Sequence, residues 1–352
     1  MIVRYLKTPK ESGYRMPAEF EQHEATWLAW PNTKFADYWH HNLEAVQLTS
    51  LQIIKALQDS EKVHLLVADT DMQNEVREKA KQANTNLEHV IFYEISTYDI
   101  WIRDYGPIFA VREKDRKLAM THWLFNGWGN KYPDLVHDTF VPSRINEIEN
   151  STYFNAGIIL EGGSIEVNGK GTLLTTKQCL LNKNRNLYLS QEIIKNRLEH
   201  YLGVKKIIWL ENGIVKDDTD GHIDNVARFV SDTRVVMPFE EDKRDENYSI
   251  MQENYKRMQN ETDQNNQKLR VFKLPAPGYI EGKQGRLTAS YANFYIANTV
   301  VLVPTFCKIE RDKEALTILQ KLFPKRKVKG INCKHLLEGG GAIHCVTQQQ
   351  PK

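Results

Sequence analysis

The sequence predicts an α/β fold built from a repeated strand–turn–strand unit. Apolar residues at helical spacing alternate along the chain with short apolar runs that are typical of buried strands. Two pairs of distant segments resemble each other, and no stretch rich in Pro, Gly or Ser divides the chain. These observations favour a single α/β domain over residues 1–352.

Each element follows from its local pattern, apolar positions at helical spacing for helices and compact apolar runs for strands. In the first half of the chain, the pattern predicts a helix over 41–57, a strand over 63–67, a helix over 72–83 and strands over 90–95 and 108–111. In the second half, it predicts helices over 190–202, 248–265 and 311–322, which are followed by strands over 206–210, 271–274 and 328–331. This alternation is that of an α/β protein.

The repeat links parts of the chain that lie far apart. Residues 229–238 align without gaps on 295–304, and residues 159–164 are echoed by 336–341. Units of strand, polar turn and strand begin near residues 104, 162, 222, 288 and 339, about 60 residues apart. Five such units suit a closed ring in which each unit buries its apolar face against the next. Chance similarity among Gly-rich hairpins is the alternative.

Composition excludes several classes of protein. The 47 Lys and Arg residues nearly balance 45 Asp and Glu residues, for a net charge of +2, which disfavours nucleic-acid binding. No stretch approaches the ~18 apolar residues of a membrane span. The first residues lack an apolar signal-peptide core, which indicates a cytoplasmic protein. The four cysteines form no CxxC pair, so neither a disulfide framework nor a structural zinc site is expected.

Cys345 is the candidate nucleophile. Three successive glycines, 339–341, come shortly before it and allow the backbone a close approach to a ligand. A thiol on such a segment could attack a substrate, although a buried cysteine is more often a small apolar residue. The other cysteines, Cys179, Cys307 and Cys333, are interpreted as structural.

His222 and Asp224 are candidates for acid/base work. On a strand, they would share one face while Ile223 points the opposite way. A histidine beside a carboxylate can act as a general acid/base, but a satisfied polar pair on a half-buried strand is the alternative. By the same strand argument, His344 points away from Cys345 and is interpreted as structural. A metal site is not expected, because the sequence has no HExxH motif or cysteine cluster.

Asp104 and Glu161 could supply further carboxylates. Asp104 precedes a Tyr-Gly-Pro turn and could point into a cleft beside Trp101, or simply serve the turn. Arg103 is expected to form an internal salt bridge. Glu161 opens the first Glu-Gly-Gly segment, at the place that Glu338 occupies in the second. If the units surround an axis, the thiol, the imidazole and the acids converge, and two carboxylates could hold a planar guanidinium for attack at its carbon.

With these motifs, the sequence resembles the agmatine deiminase and bacterial-type peptidylarginine deiminase family of the guanidine-modifying superfamily. The motifs run from about residue 16 to the end of the chain. They are MPAEFEQHEATWLAWP at 16–31, WIRDYGP at 101–107, EGG at 161–163, CLLNKNRN at 179–186, DGHIDN at 220–225 and GGGAIHC at 339–345.

The resemblance implies a five-bladed α/β propeller of ββαβ-type repeats and a role for each candidate. Cys345 matches the nucleophile and His222 the general acid/base, while Glu161 matches the acid that supports this histidine. Asp104 and Asp224 match the acids that bind the guanidinium nitrogens. The implied course is a covalent amidino-thioether that is then hydrolysed, without a metal or an organic cofactor. A homodimer is also expected from the resemblance and from the prevalence of two-fold pairs.

The expected substrate is agmatine, which would yield N-carbamoylputrescine and ammonia. Trp101 and Trp128 could line the site of this small guanidinium compound, or belong to the core. The agmatine-specific motif has Asn at the position of Ala342, which leaves peptidyl-arginine and free arginine as alternative substrates. The same residues also fit amidino transfer to an amine, or a non-catalytic propeller that binds a guanidinium or polyamine. No nucleic acid or membrane partner is expected.

Overall fold

The computed structural model describes residues 7–33, 39, 41–283 and 285–352. In these residues the predicted α/β class is confirmed, because helices and strands alternate and five sheets share one strand arrangement. In each of these sheets, two strands pair antiparallel and the second of them pairs parallel with a third. We number the five sheets as units 1 to 5.

Units 1 to 4 follow one another along the chain. Their strands are Ile108–Arg112, Leu118–Leu124 and Thr152–Ile159 in unit 1, Glu166–Val167, Thr172–Thr176 and Lys206–Leu210 in unit 2, Arg228–Ser231, Arg234–Phe239 and Arg270–Pro275 in unit 3, and Tyr295–Ile296, Val300–Thr305 and Lys327–Asn332 in unit 4. The gap-free alignment of 229–238 on 295–304 therefore marks the antiparallel pairs of units 3 and 4.

Unit 5 joins the two ends of the chain, which the sequence did not predict. Gln348–Pro351 pairs antiparallel with His23–Ala29, and the parallel strands Lys62–Val67 and Val90–Glu94 follow. Inside this unit, Trp27 Nε1 donates a buried hydrogen bond of 2.8 Å to Gln350 Oε1. A strand so close to the chain end is thus part of the packed interior.

A helix connects the second and third strands of every unit. These helices are Val141–Glu149, Gln191–Leu202, Tyr248–Met258 and Ile309–Leu322 in units 1 to 4 and Leu43–Leu57 in unit 5, where Thr70–Gln82 precedes the fourth strand. Leu43–Leu57 buries Val46, Ile53, Ile54 and Leu57 on one face, as its apolar spacing predicts. Ser190 caps the helix of unit 2 by accepting from the Ile193 N–H.

The helix of unit 3 is shorter than predicted. It ends at Met258, whereas the sequence pattern extended it to residue 265. Beyond it, Asp263 Oδ1 accepts the backbone N–H groups of Asn265 and Gln267, each at 2.8 Å. Such local side-chain acceptors compete with helical hydrogen bonds, so this polar segment forms a turn.

The remaining elements are short. They comprise helices Ile102–Tyr105, Gly127–Asn130, Lys177–Leu180, Lys183–Asn186 and Lys334–Leu337, 3-10 turns Lys10–Ser12, Pro133–Phe140, Gly162–Ser164, Ile223–Asn225 and His344–Val346, and strands Tyr14–Arg15, Glu281–Gly282 and Gly285–Arg286. Among the described residues, no helix has the length and apolar character needed to cross a membrane.

Short helical turns, not strands, carry most of the candidate residues. Such a turn precedes the first strand of units 1, 2, 3 and 5. The prediction that His222 and Asp224 share a strand face is wrong, because Ile223–Asn225 is a 3-10 turn. The backbone ahead of it turns at Asp220 and Gly221, with φ of 64° and 91°. In that turn the Asp220 N–H bonds to Asp217 O, so local bonds replace a strand ladder.

The segment around Cys345 differs from the prediction in the same way. His344–Val346 is a 3-10 turn, so strand alternation does not describe where His344 points. The two Glu-Gly-Gly segments also differ in structure. Glu161 is buried ahead of the turn of unit 2, whereas Glu338 is exposed at the end of Lys334–Leu337. Their similarity is one of sequence rather than of position in the unit.

Candidate active site

The thiol of Cys345 lies in a buried polar cluster. The Cys345 side chain is 7 % exposed. Asn293 Nδ2 lies 3.2 Å from its sulfur, and Asp224 Oδ2 lies 3.8 Å from it. Burial, followed by the charges of Asp224 and Asp104, raises the pKa of the Cys345 thiol well above its ordinary value. The thiol is therefore protonated while these two carboxylates carry no bound cation.

Asp224 reaches the thiol from the turn of unit 3. Its Oδ2 lies 2.8 Å from Nδ1 of His344, whereas its buried Oδ1 has no hydrogen-bond partner among the described residues. Burial opposes ionisation of Asp224. The hydrogen bond from His344 and the nearby imidazoles and Arg228 outweigh burial and lower the pKa of Asp224. One oxygen of an ionised carboxylate is thus left to accept from a ligand.

Asp104 is held by two donors. Its Oδ1 accepts the Gly163 N–H at 3.0 Å, and its Oδ2 accepts Trp128 Nε1 at 2.9 Å. Burial raises the pKa of Asp104 to about 6, although His222 opposes this shift. Near neutral pH, Asp104 is a carboxylate with a rigid orientation.

His222 lies between Asp104 and Glu161. Its Nδ1 is 3.6 Å from Asp104 Oδ1, and its Nε2 is 4.0 Å from Glu161 Oε2. Burial disfavours the imidazolium, but Asp104, Cys179 and Glu161 outweigh burial and raise the pKa of His222 well above its ordinary value. The buried His222 ring therefore holds a proton that it can donate near Cys345.

Glu161 is oriented from behind by an arginine. Arg185 Nε donates to Glu161 Oε1 at 2.7 Å, and both side chains are buried. The other oxygen, Oε2, faces the His222 ring and has no hydrogen-bond partner among the described residues. Glu161 can therefore accept a hydrogen bond on the imidazole side.

Gly163 permits the convergence of these groups. A Cβ at this position would lie 2.6 Å from His222 Nδ1, 2.8 Å from Asp104 Oδ1 and 3.1 Å from Asp224 Oδ2. Distances below 3.0 Å are shorter than van der Waals contact allows, so only glycine fits here without displacing the polar groups. Three side chains from units 1 and 3 thus meet at the turn of unit 2.

The two tryptophans both lie at the cluster. Trp128 donates to Asp104 and has a left-handed backbone conformation, with φ of 52°. Trp101 packs where Gly341 has no side chain, because a Cβ on Gly341 would lie 2.5 Å from the Trp101 ring and 3.1 Å from Cys345 Sγ. Both rings are buried, so they belong to the core and can also line the side of a ligand site.

Sequence reasoning missed Asn293. This buried residue precedes the first strand of unit 4, and its amide contacts Cys345 Sγ and also the side chain of Asn225. The signal was present, since the repeat places a unit start near residue 288, which is where the other units carry their candidate residues. An asparagine has no titratable group and therefore gives no acid/base signal of its own.

His344 and Cys179, which were interpreted from the sequence as structural, both lie next to candidate residues. His344 joins Asp224 to Glu19, because its Nε2 lies 2.9 Å from Glu19 Oε2. Cys179 is buried beside the His222 ring, and burial raises its pKa. Arg103 forms the expected internal salt bridge, at 3.3 Å from Glu19. His344 and Cys179 thus contact the candidate residues directly.

Three groups in this cluster could hold a metal ion. One ligand atom each from Glu161, Cys179 and His222 lies within 4.8 Å of the others. Together with His222, the carboxylates of Asp104 and Asp224 and the Cys345 thiol are arranged for acid/base and nucleophilic chemistry on a cation, which requires no metal.

Known proteins resemble this chain over almost its whole length. A family model described as Porphyromonas-type peptidyl-arginine deiminase matches residues 15–351. The agmatine deiminase of Medicago truncatula is 38% identical over 375 residues, which cover 98% of each chain.

Solved structures agree. The agmatine deiminase of Enterococcus faecalis matches with a TM-score of 0.90 at 35% identity and covers 99% of this chain and 98% of that chain. The agmatine deiminase of C. jejuni matches with a TM-score of 0.83 at 30% identity over 96% of each chain. The resemblance stated from the motifs is confirmed, and the chain belongs to the Porphyromonas-type peptidyl-arginine deiminase family.

Proposed function

We propose that the protein is an agmatine deiminase, a hydrolase that converts agmatine and water into N-carbamoylputrescine and ammonia. One observation carries the proposal: a buried thiol lies beside two carboxylates, those of Asp224 and Asp104, with His222 next to both. A guanidinium is the planar cation that two carboxylates can hold at its nitrogens. The relatives in Medicago and Enterococcus are named agmatine deiminases, which supports agmatine as the guanidinium compound that binds here.

Binding would place the guanidinium between Asp224 and Asp104. Asp224 Oδ1 is buried without a partner among the described residues and can accept an N–H group of the substrate. Asp104 is held by Gly163 and Trp128, so its orientation is set before the substrate arrives. Such prior orientation lowers the entropy lost on binding.

Substrate binding would also activate the nucleophile. The charges of Asp224 and Asp104 raise the pKa of the Cys345 thiol, and a guanidinium between them offsets those charges. The thiol can then lose its proton to solvent, while His222 keeps its own. Asn293 Nδ2 and the Ala342 backbone N–H favour the thiolate, and the backbone contact does not depend on the side chain at 342.

The reaction would follow in two halves. The Cys345 thiolate forms a bond to the guanidinium carbon, and the tetrahedral adduct collapses as a C–N bond breaks. His222 gives the departing nitrogen its proton, so that ammonia leaves an amidino-thioether. His222 then takes a proton from water, which attacks the same carbon. As the C–S bond breaks and the C=O bond forms, the hydroxyl proton of the adduct passes to the sulfur, so that the ureido product and the Cys345 thiol are released. Glu161 supports the ring throughout.

Product formation from three guanidinium compounds tests this proposal. We expect ammonia and a ureido product from agmatine with a kcat/KM well above those for free arginine and an arginyl peptide, without added metal. Cys345→Ala should abolish release, whereas Cys307→Ala, a change at an exposed cysteine, should leave it unchanged. Preference for the arginyl peptide would overturn the substrate assignment. Tight agmatine binding without turnover would overturn the reaction, and amidine transfer to an added amine would reassign it as a transferase.

We also infer that units 1 to 5 close into a five-bladed propeller over residues 1–352. Each unit contributes a residue to one cluster, in the order Asp104, Glu161, His222, Asn293 and Cys345, and unit 5 pairs the chain ends. A ring of units around the cluster accounts for both facts. Limited proteolysis that leaves one resistant body would support a single domain.

The cytoplasmic location predicted from the sequence and the homodimer implied by the resemblance remain predictions. Light scattering coupled to size-exclusion chromatography tests the dimer, because a dimer has twice the 40.9 kDa mass of the chain. Cell fractionation tests the location.

A further inference from the structure

Three metal-ligating side chains meet on the side of His222 that faces away from Asp104. Glu161 precedes the turn of unit 2, Cys179 lies in the helix Lys177–Leu180 and His222 precedes the turn of unit 3. One ligand atom from each lies within 4.8 Å of the other two, and all three residues are buried. The role proposed for Cys345 does not use the Cys179 thiol.

Two of these ligand atoms lack hydrogen-bond partners. Glu161 Oε2 and His222 Nε2 are fully buried, and neither makes a hydrogen bond of standard geometry to a described residue, although the Cys179 thiol, the third member of the set, interacts with the His222 ring. They face each other at 4.0 Å. Buried polar atoms are nearly always paired, so two such orphans beside a thiol point to a ligand that both can bind.

Neighbouring groups aim these atoms at a common point. Arg185 holds Glu161 Oε1 and so leaves Oε2 for the ligand, while Asp220 also pairs with Arg185 and offsets its charge. Asp104 lies on the Nδ1 side of the His222 ring. A carboxylate behind the distal nitrogen is the usual support for a metal-binding histidine.

We propose that Glu161, Cys179 and His222 form an inhibitory Zn²⁺ site. Thiolate, imidazole and carboxylate are the three protein ligands that zinc prefers, and three of them leave a fourth position for water. Mg²⁺ and Ca²⁺ prefer oxygen ligands and are disfavoured by the thiol. On binding, the ion forms bonds to Sγ, Nε2 and Oε2, and the Cys179 proton and any proton on Nε2 pass to solvent.

Zinc bound at this site would inhibit the proposed reaction. The ion occupies His222 Nε2 and so removes the proton carrier that the proposed deiminase reaction needs. The inference goes beyond that function, because zinc acts here as an inhibitor and not as a cofactor. Its binding can be measured without substrate, so failure of one proposal does not decide the other.

Cobalt spectroscopy on the full-length protein tests the ligand set. Co²⁺ substitutes for Zn²⁺ and shows a charge-transfer absorption when a thiolate binds it. We expect one equivalent of Co²⁺ to produce this band in the parent protein, in Cys345→Ser and in Cys333→Ser, a control at another buried cysteine. Cys179→Ser should lose the band, and Zn²⁺ competition should abolish it in the others.

A second variant covers the case in which Cys179→Ser does not fold. Glu161→Gln keeps the shape of the side chain and should retain the band, because Cys179 is still present. It should weaken Co²⁺ affinity at least ~10-fold, since losing a group that only hydrogen-bonds to a metal ligand already costs about that much. Absence of stoichiometric Co²⁺ binding in the parent protein would overturn the site. So would a band that depends on Cys345 and survives Cys179→Ser, or an unchanged affinity in Glu161→Gln.

Discussion

At the scale of single residues, the surroundings of a side chain set its pKa, and two aspartates of the site show this. Asp224 and Asp104 are both buried carboxylates, but their pKa values move in opposite directions. Asp224 is hydrogen-bonded to His344, whereas burial dominates at Asp104. Groups with diverging pKa values in one cluster are typical of acid/base sites.

Removing the charge of Asp224 should weaken catalysis strongly. In Asp224→Asn, the guanidinium loses one of its two carboxylates, and loss of one partner of a buried charge pair costs roughly 2–5 kcal/mol. We expect kcat/KM for agmatine to fall by about 30- to several-thousand-fold. Asp59→Asn, at an exposed aspartate, is the matched control. A change of less than threefold in Asp224→Asn would contradict the assigned role.

The pH dependence of kcat/KM should be bell-shaped. The pKa of Asp104 is raised to about 6, so its carboxylate is ionised above that pH and is lost as the pH falls through it. The pKa of His222 is raised, so the ring loses its proton at a higher pH than an ordinary imidazole does. Because these groups interact, the two limbs report apparent values for the cluster. A rate that changes in one direction only across the stable pH range would contradict this coupling.

At the scale of elements, the short turns ahead of the first strands decide which side chains meet. The turns Gly162–Ser164 and Ile223–Asn225 lie in units 2 and 3. They bring the side chains of His222 and Asp224 close to Gly163. A strand would send alternate residues to opposite faces. A turn instead lets His222 and Asp224 approach Gly163 together.

Gly163→Ala should therefore disrupt the cluster more than the fold. Its Cβ would meet His222 Nδ1 at 2.6 Å and Asp104 Oδ1 at 2.8 Å. Overpacking of this kind costs roughly 1–3 kcal/mol of stability. We expect kcat/KM to fall at least tenfold and the melting temperature to decrease modestly. In Gly157→Ala, the added Cβ meets no atom within 4 Å, but the φ of 69° strains an alanine, so this variant should lose some stability and keep its activity. Equal activity of the two variants would rule out the close approach.

At the scale of the whole molecule, the C-terminal strand couples folding to the nucleophile. Gln348–Pro351 follows the turn of Cys345 directly and pairs with His23–Ala29 near the other end of the chain. Its side chains are buried, and Gln349 Oε1 accepts from Arg103 Nη1 at 2.7 Å. Closure of unit 5 thus holds the thiol in place.

Removing residues 348–352 should abolish activity and destabilise the fold. The deletion exposes the edge of His23–Ala29 and breaks the bonds from Trp27 and Arg103 to this strand. Deleting Lys352 alone removes one exposed residue and serves as the control. Circular dichroism melts and agmatine turnover measure both effects. A fully active protein without residues 348–352 would show that unit 5 does not position Cys345.

Most local structure was predictable, because it depends on local patterns. Apolar spacing identified the helix Leu43–Leu57 and the strand Lys206–Leu210 within two residues at each end. It failed at residues 259–265, where local polar bonds end the helix. It also failed at His222 and Cys345, where turns replace strands.

The sequence by itself determined the α/β class, the repeated unit, the family and the residue types that can act on a guanidinium. These features follow from composition, spacing and motifs, which are properties of neighbours in the chain. Only the tertiary structure decided that Asn293 contacts the thiol, that Cys179 and Glu161 share a point beside His222, and that the chain ends form one sheet. Such contacts join residues tens to hundreds of positions apart, and the packing of separate elements sets them.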